Sequence, residues 1–482
     1  MRIIRSLGTI LLFCFSGTLS FSQTTWRTAF GAFGPDEATC VALASNGDII
    51  AAGSTGSFGN GSSDAYLLRV SAEGALIWST PIGGGQIDKV EGLELLEDGS
   101  FVLVGYSNGG GAGGYDGWLV KVDPLGTITW QRYFGSTEWD FLYAVERTGD
   151  GGYLLAGETY GSGDGSADGW LIRTDIDGVA QWTRTFGAIG DDELHSVKET
   201  SDGGVVVAGS ITNTGSGRDV LVSKLDPTGQ VLWERSYGTD SVEFARDVLE
   251  TTDGGFSLVG TITAYTSFNE HLHLRLDADG DSLWSKHWGQ INDQEATQHL
   301  QLTNGEYFTV GYTRTSGNGG KDMFIFHCTE QGDFITQRTF GGTDDDVARG
   351  ISTIEDGFVV VGRTRSYGAG LDDVFIVRTD SAGGTESETV TTAFDPVVVP
   401  TVKRTEQHQL YPNPATDQIT LRTNSPVREA RLFDAAGRMT REWPDRNGSS
   451  FDLSGIPVGV YRFTAVLAGN SRLSAPLLIH RP

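Results

Sequence analysis

Cysteine is nearly absent, with three in 482 residues. One of these, Cys14, sits in an apolar leader, and the remaining pair, Cys40 and Cys328, cannot build a disulfide framework. No apolar run is long enough to span a bilayer as a helix. Proline is sparse, at 13 against 67 glycines, which excludes collagen-like and proline-rich disordered chains. Basic charge is in deficit: 35 Lys and Arg against 62 Asp and Glu leave a formal net charge of −27. That balance argues against binding nucleic acid or an anionic membrane through bulk electrostatics. Helical periodicity is missing. So are the Gly-x-Ser-x-Gly, His-Glu-x-x-His and phosphate-loop motifs. The eight histidines contain one close pair, His271 and His273, which the polar or half-buried face of a strand explains better than a metal.

What the chain does have is repetition. "DGGYLLAGET" at Asp150–Thr159 recurs as "SDGGVVVAGS" from Ser201, "TDGGFSLVGT" from Thr252 and "EDGFVVVGRT" from Glu355, with three looser copies. The glycine closing each copy falls at Gly53, Gly105, Gly157, Gly209, Gly260, Gly311 and Gly362, a step of 51 or 52 residues. A period of this size marks a propeller or a solenoid. One unit, residues 140–186, reads as four short runs rich in Val, Leu, Tyr, Trp and Thr, parted by turn residues. Asp-Gly or Asn-Gly at the first turn tolerates the positive φ of a tight hairpin. Four antiparallel strands per period make one propeller blade.

The phase of the repeat is informative. The chain opens on a lone fourth strand, "WRTAFG" at Trp26–Gly31, and the last unit ends at "DDVFIVRTD" without one. The expected fold is therefore all-β: a seven-bladed β-propeller whose ring is closed by the N-terminal strand, removing two open sheet edges. The strand order, the glycine ending the second strand and the fourth-strand Trp resemble the kelch and bacterial seven-bladed propeller repeat families over roughly 26–380. That resemblance implies architecture and leaves activity open.

Two acidic positions repeat with the blades. The first, at the start of each unit, is Asp36, Asp88, Asp140, Asp192, Glu243 and Asp346, with Gln294 the exception. The second, opening the third strand, runs from Asp64 to Asp373. A short carboxylate beside a Gly-rich loop ties down backbone N–H groups. The alternative is an acidic rim that binds a ligand, with calcium as the one cation to consider. No other cofactor and no metal site is expected. "DADGDSLW" at 277–284 looks locally like a calcium loop, but its counterparts in other units are plain hairpin turns.

Both ends carry address signals. "MRIIRSLGTILLFCFSGTLSFSQ" has two arginines before a short apolar run, the pattern of a secretory signal peptide over 1–22. The propeller is expected over 23–380. An unpatterned Thr/Glu/Pro/Val-rich stretch, 381–407, reads as a linker. In 408–482 follow Tyr411-Pro412-Asn413-Pro414, the "DAAGR" hairpin with Gly437 and Arg438, and "LSGIPVGVY" with Gly459 and Tyr461. These motifs resemble the type A C-terminal sorting domain of the type IX secretion system of Bacteroidetes, although the terminal "LLIHRP" departs from its usual basic-apolar ending. The resemblance implies an Ig-like β-sandwich, read by the outer-membrane translocon and its sorting machinery, and delivery through the periplasm to the cell surface or beyond. The expected function is a secreted, monomeric, non-catalytic binding propeller for an extracellular glycan or protein. A secreted hydrolase or lyase acting on glycans, or a structural surface-layer protein, is the alternative. Catalysis would require unlike residues converging from different blades, and the repeated acidic positions are near-copies.

Overall fold

The computed structural model describes residues 25–394 and 409–481, apart from 164–165, 188, 214–216, 264–267, 290–291, 412–414, 423–425, 435–438, 445–448 and 468–471. The signal segment 1–22 and the motif residues Pro412, Asn413, Pro414, Gly437 and Arg438 lie outside the described residues. The chain divides after Pro396 into two compact units.

Among the described residues the first unit holds six four-stranded antiparallel sheets and one five-stranded sheet, an all-β arrangement of repeated sheets that resembles a propeller. Each four-stranded sheet runs in chain order; that of residues 140–186 uses Asp140–Arg147, Tyr153–Thr159, Asp168–Thr174 and Ala180–Phe186. The second and third strands are nearly continuous runs of buried residues because both their faces are covered. The fourth-strand tryptophans wedge against the next sheet. Trp130 packs on the turn glycine Gly178, Trp182 on Gly229 and Trp233 on Gly280, each so closely that an added Cβ would meet the indole at 2.9–3.0 Å. These glycines also have φ between 73° and 83°, so no other residue suits both the turn and the indole.

The five-stranded sheet joins the two ends of the unit. Trp26–Gly31 pairs antiparallel with Asp373–Asp380, Trp26 opposite Arg378 and Phe30 opposite Val374. Trp26 Nε1 donates to Ala72 O at 2.9 Å, and Arg378 Nη1 donates to the same carbonyl at 2.8 Å. Backbone joins follow one rule. The amide of Asp88 donates to Ser63 O, that of Asp140 to Tyr115 O and that of Asp192 to Ala167 O; Asp36 does the same to Asp372 O at 2.7 Å, linking the first full sheet to the last.

One stretch departs from expectation. Within 381–407, Val390–Phe394 forms a strand that runs parallel to Trp26–Gly31 and gives that sheet its fifth member. Five residues without a turn signal or a repeat partner carry too little pattern to be read alone.

The second unit contains a three-stranded and a four-stranded antiparallel sheet. Their shared core includes Ile419, Leu432, Trp443, Phe451, Phe463 and Leu477. Tyr411 ends the strand Gln409–Tyr411 and pairs with Thr420. Gly459 opens the strand Gly459–Leu467, where the Tyr461 hydroxyl donates to Pro457 O at 2.9 Å. The last strand, Arg472–Ile479, is complete despite the unusual ending. Beyond it Arg481 reaches back to Asp417 and to the carbonyls of Ile456 and Leu453, at 2.6–3.0 Å.

Candidate functional site

Every first strand in the first unit contains a β-bulge at the same place. The register breaks between Ala38 and Cys40, Val90 and Gly92, Leu142 and Ala144, Leu194 and Ser196, Ala245 and Asp247, Ala296 and Gln298, and Ala348 and Gly350. The residue left unpaired lies three positions after the repeated acidic one: Thr39, Glu91, Tyr143, His195, Arg246, Thr297 and Arg349. A bulge re-aims a side chain that the ladder would otherwise hold, and all seven line a single cavity of about 570 Å³. The same bulge explains the repeat's signature glycine. Its carbonyl neighbour presses on the second strand: an added Cβ would lie 1.9 Å from Phe141 O at Gly157, 1.8 Å from Glu193 O at Gly209 and 1.9 Å from Lys89 O at Gly105.

The cavity's chemistry is uneven around the ring. On one side stands a run of aromatic rings. Tyr106 lies edge-on to Phe141 at 4.9 Å, Tyr115 edge-on to Trp139 at 6.0 Å, Trp139 edge-on to Tyr160 at 6.2 Å, and Phe141 stacks parallel to Tyr143 at 6.5 Å. Trp139 is 54% exposed and Tyr160 39%. Trp139 is held from behind by the glycine-rich 108–114 loop, where a Cβ on Gly114 would fall 2.5 Å from its indole.

Next along the ring is a polar chain. The Tyr143 hydroxyl donates to Glu158 Oε1 at 2.6 Å. His195 Nε2 meets Glu193 Oε2 at 2.7 Å, and Arg218 closes on the other Glu193 oxygen. Burial, then the Arg246 charge, pushes the His195 imidazole down to about 4, so it is neutral at pH 7, with Nε2 donating to Glu193 and Arg246 Nη1 lying against the ring, 3.2 Å from Nε2 and 3.4 Å from Nδ1. Burial works against the Glu193 carboxylate, but His195 and Arg218 outweigh it and hold it at about 2. Glu91 and Glu158 go the other way: burial first, then Glu37 and Glu193 respectively, raises each to about 7.

A raised carboxyl has a pH signature. The folded state holds a proton that the unfolded chain has released, so the contribution is full below the ordinary Glu value and is lost as pH rises through about 7. Glu91→Gln is therefore expected to melt with the parent at pH 5 and roughly 1–3 °C above it at pH 8. Equal melting of the two at pH 8 would remove Glu91 as a strained carboxylate.

The six acidic positions Asp36, Asp88, Asp140, Asp192, Glu243 and Asp346 sit elsewhere, all at most 3% exposed. Asp36, Asp88, Asp140 and Asp346 accept loop amides from Ala32, Gly84, Ser136 and Gly342 at 2.7–3.0 Å. Thr212 N donates to Asp192 and the Thr239 hydroxyl to Glu243. At the glycine ending five of the fourth strands they meet the second acidic series. A Cβ on Gly135 would lie 2.6 Å from Asp140 Oδ2 and 2.7 Å from Asp116 Oδ1, and Gly31, Gly83, Gly187 and Gly341 are flanked alike. No three His, Cys, Asp or Glu side chains among the described residues converge as a metal set. Asp277 accepts the amides of Asp279 and Asp281, a hairpin-turn pattern.

His271 and His273 are wholly buried, not half-exposed. Burial pushes His271 down to about 3, and its ring packs as an aromatic filler among Trp288, Phe324 and Phe326. His273 Nε2 meets Ser257 Oγ at 2.7 Å, which also meets His299 Nε2 at 2.9 Å, while His299 Nδ1 meets Asp247 Oδ2 at 2.9 Å. This carboxylate–imidazole–hydroxyl chain has the order of a hydrolytic triad, but Ser257 is 0% exposed and no substrate reaches it.

Comparison with known proteins adds the following. Residues 409–479 match the family of secretion system C-terminal sorting domains. A stretch of 240 residues is 23% identical to the regulatory protein FlaEY of Caulobacter vibrioides, and the match takes in 44% of this chain and a quarter (25%) of that protein's length. Among solved structures, the Pan2 WD40 domain of Neurospora crassa aligns with a TM-score of 0.46 at 12% identity, over 76% of this chain and 99% of that one. PorZ, a surface component of the type IX secretion system of Porphyromonas gingivalis, aligns with a TM-score of 0.33 at 12% identity, over 92% and 69%. The sorting domain marks this chain for type IX export to the cell surface or the extracellular space and for contact with that secretion machinery. No helix among the described residues is long and apolar enough to cross a membrane.

Proposed function

We propose that this chain is a surface or secreted saccharide-binding protein. Its first unit, over about 23–380, is read as a seven-bladed propeller closed by Trp26–Gly31, its second, over about 408–482, as an Ig-like sandwich, and the ligand seat is the cavity where the first strands meet. The closed ring is supported by the pairing of Trp26–Gly31 with Asp373–Asp380, and by one cavity that residues of all seven first strands line. The binding reading rests on a single observation: exposed Trp139 and Tyr160 continue into a run of rings beside hydrogen-bonding carboxylates and an imidazole. Flat rings next to polar groups suit a pyranose, which has an apolar C–H face and a hydroxyl edge. In this reading the acidic positions tie turns and do not touch ligand.

The test is a glycan array on the full chain, followed by calorimetry. Trp139→Ala is expected to weaken the strongest glycan by about 10-fold or more, since an exposed stacking ring carries roughly 1.5 kcal/mol or more. An array with no glycan bound, or a Trp139→Ala chain binding as the parent does, would overturn it.

A further inference from the structure

The other side of the cavity carries charge of the wrong sign for this protein. The chain is strongly acidic, and its interior arginines are matched: Arg173 with Asp150, Arg275 with Asp253, Arg378 with Asp356. Half-buried Arg246 and exposed Arg349, on the bulges of the fifth and seventh sheets, are not matched in this way. Among the described residues neither has a carboxylate within ion-pair distance. They are also close enough to repel: burial first, then the Arg349 charge, lowers the Arg246 guanidinium. Two like charges at one cavity wall, neither of them in an ion pair, favour an anionic group that both can share.

Their surroundings hold them in place. The Arg246 guanidinium stacks 4.7 Å above Phe244. Its Nη1 lies 3.2 Å from His195 Nε2 and 3.4 Å from Nδ1, which engages one nitrogen of a fork that has five donors. Between the two arginines in ring order stands Thr297, a small residue whose hydroxyl is occupied by Val310 O at 3.1 Å and Ala348 O at 3.2 Å. It competes for neither guanidinium. Glu193 and Glu295 act on Arg246 from further off, and each has partners of its own: His195 and Arg218 for Glu193, Tyr312 and Asn269 for Glu295.

We propose that Arg246 and Arg349 form a carboxylate clamp, so that the site takes a uronic-acid saccharide: the sugar ring lies on the Trp139–Tyr160 side and its carboxylate enters the gap over Thr297. The clamp rests on the saccharide-binding reading above and adds the ligand's charge. Paired guanidinium forks match a planar carboxylate better than any neutral hydroxyl.

Calorimetry of the full chain with a galacturonate tetrasaccharide and with its methyl ester separates the two. The acid is expected to bind at least roughly tenfold tighter than the ester, one charged hydrogen bond being worth about 1.5–3 kcal/mol. Its advantage should shrink as salt rises from 50 to about 300 mM. Arg349→Gln, an exposed position whose fold is checked by its melting curve, is expected to bring the acid-to-ester ratio close to one, and Arg132→Gln on an outer strand to leave the ratio as it was. Equal affinity for acid and ester in the parent chain, or an unchanged ratio in Arg349→Gln, overturns the clamp while saccharide binding stands. Failure of both ligands, together with a blank glycan array, overturns the saccharide reading and the clamp with it.

Discussion

A Gly157→Ala chain is expected to melt roughly 10 °C below the parent, a large loss for adding one methyl group. The reason is contact, not φ. The new Cβ would sit 1.9 Å from Phe141 O and 2.8 Å from Leu142 Cα, both backbone atoms that cannot rotate aside. Relief requires the first strand to move by more than an ångström, which means flattening the bulge that carries Tyr143. A backbone collision of this kind in a packed sheet costs about 3–5 kcal/mol, and each kcal/mol is worth about 2–4 °C in a domain of some 200 residues. Flattening also swings Tyr143 back into the ladder and away from Glu158, so saccharide binding falls with stability. Gly85→Ala is the control: nothing lies within 4 Å of its added Cβ, and it should stay within about 0.5 kcal/mol of the parent. Differential scanning calorimetry of the two variants decides the matter. A Gly157→Ala chain that melts with Gly85→Ala would dissolve the link between the repeat's glycine and the bulge.

Deleting residues 25–31 is expected to be worse, leaving a chain that aggregates or melts at least roughly 15 °C lower. The strand buries Ala29 and Phe30, supplies Trp26 as the wedge against the following sheet, and separates Asp373–Asp380 from Val390–Phe394. Without it both neighbours become open edges at once. Neither can pair with the other in place, since the missing strand lay between them and leaves a gap of about 9–10 Å, two strand spacings. A synthetic peptide of residues 24–33 supplied in trans should recover part of the lost stability by adding itself as a strand. A truncated chain that stays monomeric with the parent's melting curve would show that the strand is dispensable and that the proposed ring closure contributes nothing.

The candidate site was written in the sequence, but in the positions that do not repeat. Attention to what recurs finds Asp140 and its equivalents, which are buried among turn amides. Three residues on, the series Thr39, Glu91, Tyr143, His195, Arg246, Thr297 and Arg349 shares nothing but its place in the period, and that variety inside a regular frame is the usable signal. Sequence reasoning treated the near-identity of the acidic positions as a reason to doubt convergent chemistry; the unlike residues it looked for stand one bulge away. A bulge is hard to read in strand periodicity, because its one extra residue shifts the phase of the alternation and leaves only two or three residues on either side to show it. Trp139 was missed for a similar reason: it is the one indole that precedes a first strand, outside the fourth-strand series that appeared to account for tryptophan.

The sequence alone determined the all-β class, the repeated four-strand unit, the pairing of the first strand with the last unit, and the sorting module with its export address. All of these are carried by local patterns: a period, a turn dipeptide, a short motif. Only the tertiary structure decided which side chains share a cavity, that the acidic series is spent on turns, that His271 and His273 are neutral core rings, and that Val390–Phe394 is a strand. Those properties depend on distances between residues far apart in the chain, and in these repeated sheets it is the bulge, a departure from regular pairing, that sets which side chains line the cavity.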